Sequence, residues 1–156
     1  MKTYFFTTIL CLFLANTCQV NKEKQEKDFI KSFVDNILIK KNQNQQDWND
    51  YLELNNNLSE EKKEILNVII RHEISVLNET LYKNDNKFRI LGYKELKHNS
   101  LTPNLKLDSL DDVYFLTSNN RILVPIIIKN KKIISFSYGM TKNTKYSYPL
   151  LLNGQN

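Results

Sequence analysis

Glu73 is the carboxylate on which acid–base chemistry in this chain would turn, because it lies inside an apolar stretch with His72 beside it. A carboxyl driven out of water rises in pKa and can then exchange a proton near neutrality. At 100° per residue from Ile65, a helix would place Val76 near about 20°, Ile69 near about 40°, Leu66 near about 100° and Leu77 near about 120°. Glu73 falls at about 80°, among them, which predicts a core-facing carboxylate. His72 falls near about 340°, at the edge of that stripe, so the two side chains diverge and need a pocket rim to cooperate. Three roles stay open for Glu73: pocket acid or base, partner of a cation such as Arg89, or a side chain that turns outward.

A second set of residues points to ligand binding. Residues 121–156 contain Arg121, Lys129, Lys131, Lys132, Lys142 and Lys145 but no Asp or Glu, in a chain of formal net charge +5. Phe136, Tyr138, Tyr146 and Tyr148 interleave with these cations. Lys129, Lys131, Lys132, Tyr138 and Tyr146 are therefore the candidate ligand- or anion-binding residues, suited to a lipid headgroup or a polysaccharide. The plainer alternative is that lysines occupy hairpin turns and sheet edges, where they discourage edge-to-edge pairing. Nucleic acid is a poor fit, because the charge is modest and the chain reads as exported.

Other chemistry lacks its residues. Gly92, Gly139 and Gly154 are isolated, so there is no glycine-rich phosphate loop. His72 and His98 sit in no ligand spacing, and no cysteine pair exists to hold zinc. Asp108, Asp111 and Asp112 lack the glycine and terminal glutamate of a calcium loop and read as a solvated turn. No metal and no cofactor is predicted.

Cys18 carries a different kind of chemistry. Behind Met1-Lys2-Thr3 comes an apolar run from Tyr4 to Ala15, too short to span a bilayer as a helix, followed by Asn16-Thr17-Cys18. One cation, an apolar stretch and a small-residue boundary read as a signal peptide over 1–17. The segment Ala15-Asn16-Thr17-Cys18 resembles a bacterial lipoprotein signal, which implies acylation of Cys18. It departs from that pattern at Ala15 and Thr17, so ordinary secretion stays open beside lipidation. Any membrane contact is then expected only through a lipid on Cys18, and the location is periplasmic, outer-surface or secreted. Cleavage leaves one cysteine and no intrachain disulfide, so stability must come from the core.

These residues have to be held by a fold that 156 residues can build. With 41% hydrophobic and 11% aromatic residues, the composition is that of one globular domain. Abundant Asn and Lys with a single alanine, Ala15, match A/T-rich codons. The triplets Asn57-Leu58-Ser59 and Asn78-Glu79-Thr80 are accordingly given no weight as glycosylation signals. Residues 18–28 read as a polar tether and 29–152 as a single domain. Phe29, Ile30, Phe33, Val34, Ile37 and Leu38 predict an amphipathic first helix, Trp48 to Leu52 a short second one, and Ser59 to about Tyr82 a long, strongly buried third.

Beyond Asn84-Asp85-Asn86 the pattern changes to β-branched and aromatic runs, predicting strands over 88–93, 113–117, 122–128 and 133–138. Asn-containing turns join the last three into an antiparallel meander. Pro125 marks a bulge or a missing neighbour, 146–152 a further edge strand, and 95–112 a connection holding a turn of helix. The expected fold class is α+β, with three N-terminal helices on one face of a curved, mainly antiparallel sheet of four to five strands. This order is similar to that of cone-like cystatin and nuclear-transport-factor-type folds, and no function follows from such a likeness. The functional expectation is an extracytoplasmic domain that binds a protein or small ligand with its sheet face. The alternatives are a small enzyme using Glu73, and an inhibitor or immunity-type protein acting on another exported protein.

Overall fold

The computed structural model describes residues 20–40, 45–99, 101, 105, 110–139 and 149–153. Helix α1 covers residues 20–33 and continues as the π-helical segment Val34–Ile39. It is followed by α2 (Gln45–Asn49), α3 (Glu60–Tyr82), β1 (Arg89–Gly92), α4 (Tyr93–His98), β2 (Val113–Ser118), β3 (Arg121–Lys129) and β4 (Lys132–Ser135). The four strands form one antiparallel sheet in the order β1-β2-β3-β4, so the chain is α+β.

The π segment has a cause in the sequence. The apolar pairs Phe29/Ile30, Phe33/Val34 and Ile37/Leu38 recur every four residues, and an α-helix overshoots a full turn by about 40° in four residues. Over two repeats the last pair would leave the core face by about 80°. A switch to i→i+5 bonding, seen where Lys40 N–H donates to Asp35 O at 3.3 Å, widens the turn and keeps Val34, Ile37 and Leu38 buried. Asn78 of α3 closes the segment, its Nδ2 donating to Leu38 O at 2.6 Å and Ile39 O at 3.3 Å.

Residues 20–28, read from sequence as part of a polar tether, are helical. They are the first turns of α1, and their charged side chains dock on the sheet and on α4. Lys22 Nζ bonds Asp112 Oδ1 at 2.8 Å, Lys27 Nζ bonds Glu95 Oε2 at 2.6 Å, and the Tyr114 hydroxyl donates to Glu26 Oε2 at 2.6 Å. Gly92 makes room for this approach, since a Cβ there would stand 3.3 Å from Glu23 Oε1. With no apolar residue between 21 and 28, hydrophobic periodicity is silent over this stretch. The local signal was the i,i+4 spacing of Lys22 with Glu26 and Glu23 with Lys27, both of which form ion pairs.

Helix α3 begins at its N-cap Ser59, whose side chain makes no capping bond. It ends where Asp85 and Asn86 turn left-handed, each at φ 55°. Its buried face differs from the expected one. Ile70, Ile74, Leu77, Asn78 and Leu81 are buried, which centres the face at about 160° from Ile65. Ile65, Val68 and Val76 are exposed. Apolar residues cover half of this helix, so composition could not choose the packed side, and contact with the π segment did.

Both hairpin turns have two residues at positive φ: Asn119 and Asn120 at 47° and 60°, Asn130 and Lys131 at 51° and 61°. That is the type I′ geometry matching strand twist. Pro125 pairs with Phe115 of β2. Among the described residues it has no strand partner on its other side, where β4 pairs with Ile127, Ile128 and Lys129. A bulge beside it, between Val124 and Ile122, lets the adjacent Leu123 and Val124 reach the same apolar cluster.

The sheet is covered on both sides. Tyr114, Leu116, Val124, Ile126 and Ile128 join α1, α3 and Trp48 in the main core. Val113, Phe115 and Ile127 point the other way and pack with Leu91, Leu96 and Ile134, flanked by Leu101, Leu110 and Leu151. The sheet thus does not offer a bare face. The expected edge strand at 146–152 is only partly described: Pro149 bridges Tyr138, and Leu152 N–H donates to Ile134 O at 2.8 Å. Residues 51–53 also line β4, bonding Ile133 through Tyr51 O and Glu53 N–H.

Candidate functional site

The β3–β4 turn and the first turns of α1 face each other across a cleft of about 500 Å³. Its apolar lining is Phe29 and Ile128, and its charged lining is Lys22, Lys129 and Lys131 together with Glu26 and Asp112. Both carboxylates are held, Glu26 by the Tyr114 hydroxyl and Asp112 by Lys22. The Asp112 hydrogen bond, with the charge of Glu26, raises the Lys22 pKa above its ordinary value, so Lys22 stays cationic. Burial, with the bond to Glu26, pushes the Tyr114 phenol up, so it stays a donor. Lys131 adopts a left-handed backbone that glycine would accept at lower cost. The cleft thus sets two apolar side chains beside three cations and two hydrogen-bonded carboxylates, an arrangement that can meet an anionic head joined to an apolar body.

A second cleft of about 310 Å³ shares Lys22 and Glu26 with the first and extends past Tyr93 and Glu95. Glu95 accepts from Gly92 N–H at 2.7 Å and from Lys27, and so serves the start of α4 as the reaching-back half of a capping box. Burial alone would raise the Glu95 pKa, but the Lys27 and Gly92 hydrogen bonds outweigh it and hold the carboxyl below its ordinary value. These groups are engaged in holding α1, β1 and α4 together.

The sequence-derived candidates separate. Lys129 and Lys131 come to the first cleft, whereas Lys132 reaches back to Asn49 O and Asp50 O at 2.8 and 2.7 Å and satisfies carbonyls at the end of α2. Tyr138 packs against the main core and bridges Pro149; burial raises its phenol pKa, and it does not line the cleft. Tyr146 and Cys18 lie outside the described residues. Glu73 is half-buried on the flank of α3 and accepts a hydrogen bond from Ser137 Oγ at 2.8 Å, while His72, about 100° further around the helix, is exposed. The space between α3 and the sheet is filled by the main core. Asn78, in a triplet given no weight for glycosylation, is buried with its amide bonded.

Phe29 and Lys22 are the site residues that sequence reasoning missed. Phe29 read as core and Lys22 as tether, and only the docking of α1 beside the turn brings them to Lys131. Among the described residues, no three His, Cys, Asp or Glu side chains are placed to hold a metal ion, and no helix is long and apolar enough to cross a membrane. No protein-family model matches the chain, and no curated protein or solved structure is found to be similar to it.

Proposed function

We propose that the chain is an exported binding domain, secreted or anchored through a lipid on Cys18, that takes an amphipathic anion in the cleft between α1 and the β3–β4 turn. The observation that carries this reading is the pairing of an apolar lining, Phe29 and Ile128, with the lysines of an adjacent turn. Coverage of both sheet faces favours this cleft over the sheet face as the place for a ligand. The left-handed Lys131 supports it further, because a turn selected for stability alone is better served by glycine.

Titration calorimetry with decyl phosphate, decanol and inorganic phosphate tests the proposal. Decyl phosphate is expected to bind, and the other two to bind more weakly, since each lacks one half of the recognised chemistry. Lys131→Gly is expected to weaken decyl phosphate binding severalfold while keeping or raising the thermal midpoint by relieving the positive φ. Equal binding by Lys131→Gly and wild type, or no heat from decyl phosphate, would overturn the assignment.

A further inference from the structure

The same end of the domain has a second property, set by where the chain enters it. Val20, the first described residue of α1, is apolar and 66% exposed. Cys18 precedes it by two residues, so at about 3.8 Å per peptide its Cα lies within about 8 Å of Val20 Cα whatever path the chain takes. A lipid on Cys18 would therefore hold this end against the bilayer without a spacer. Lys22, two residues further along α1, lines the cleft with Lys129 and Lys131, so the β3–β4 turn lies beside the first turn of α1. The carboxylates of that surface, Glu26 and Asp112, are bonded to Tyr114 and Lys22.

We infer that Val20, Lys22, Lys129 and Lys131 form a membrane-docking surface, with the phosphate-bearing headgroup of an anionic phospholipid seated in the cleft over Phe29 and Ile128. The inference rests on the export and cleft readings above and names the source of the anion. Two lysines near a membrane contribute affinity that is additive, electrostatic and screened by salt. The exposed apolar Val20 adds contact with the acyl boundary.

Cosedimentation of the chain processed at Cys18, without a lipid, separates the possibilities. Wild type is expected to partition onto vesicles containing about 30% phosphatidylglycerol and not onto pure phosphatidylcholine, with binding lost at high salt. Lys129→Glu with Lys131→Glu should weaken partition by about tenfold or more. Lys87→Glu with Arg121→Glu changes the net charge equally at the opposite end of β3 and should leave partition within about twofold of wild type. Equal losses in the two double variants, or no partition by wild type, would overturn the docking surface. Decyl phosphate binding measured on the same samples distinguishes the failures: binding that persists without vesicle partition sinks the membrane inference alone, and loss of both sinks the cleft reading too.

Discussion

Asn78 shows how one side chain can decide the packing of two helices. Its amide is buried and donates to the carbonyls of Leu38 and Ile39 at the end of the π segment. Asn78→Leu keeps the branched shape and removes the donor, so the buried Leu38 carbonyl and the partly buried Ile39 carbonyl lose this partner. The expected cost is about 1–3 kcal/mol in urea unfolding, far above the few tenths expected for a surface change. A midpoint equal to that of wild type would mean that water reaches those carbonyls. Glu73 stands in contrast. It has an apolar setting by sequence and a hydroxyl partner, Ser137, in the fold.

Among the elements, α1 is the one whose extent depends on charge. Its first turns are held to α4 and β1 through Lys27, Glu23 and Glu95. The Glu95 carboxyl lies below its ordinary pKa, so its contribution is fully present above the unfolded value, near about 4.3, and is lost as pH falls through the folded value. The Lys27 pKa is raised: burial opposes the shift, but the bonds to Glu23 and Glu95 outweigh it. Its share is accordingly lost only at strongly alkaline pH. Because the Glu95 side chain is 43% exposed, screening limits the effect to less than about 1 kcal/mol. Urea midpoints measured from about pH 6 to below 4 should fall more for wild type than for Glu95→Gln. Parallel curves would show that the pair contributes nothing to holding α1.

For the whole molecule, β2 is the shared wall of two apolar clusters, with Tyr114 and Leu116 on one side and Val113 and Phe115 on the other. The two cores should therefore melt together. Trp48, the single tryptophan, is fully buried in the main core with the Arg71 guanidinium 5.9 Å from its ring centroid, and reports that side alone. Phe115→Ala empties space in the opposite cluster, at an expected cost of about 3–5 kcal/mol. It should shift the Trp48 fluorescence midpoint and the circular dichroism midpoint equally. Separated midpoints would mean that the clusters are independent. Much of this architecture was legible locally. Runs of β-branched and aromatic residues bounded by Asn turns specified the meander, and apolar spacing specified α1 and α3, because both signals depend on neighbours a few residues apart. The side of α3 that packs, the covering of the second sheet face, and the helical state of 20–28 were decided by contacts across distant sequence: Asn78 with Leu38, Leu96 with Phe115, Lys22 with Asp112. The candidate site belongs to that second group. Lys129 and Lys131 could be read as turn lysines from sequence, but their meeting with Phe29 and Lys22 is about a hundred residues apart in the chain, and only tertiary packing brings such residues to one cleft.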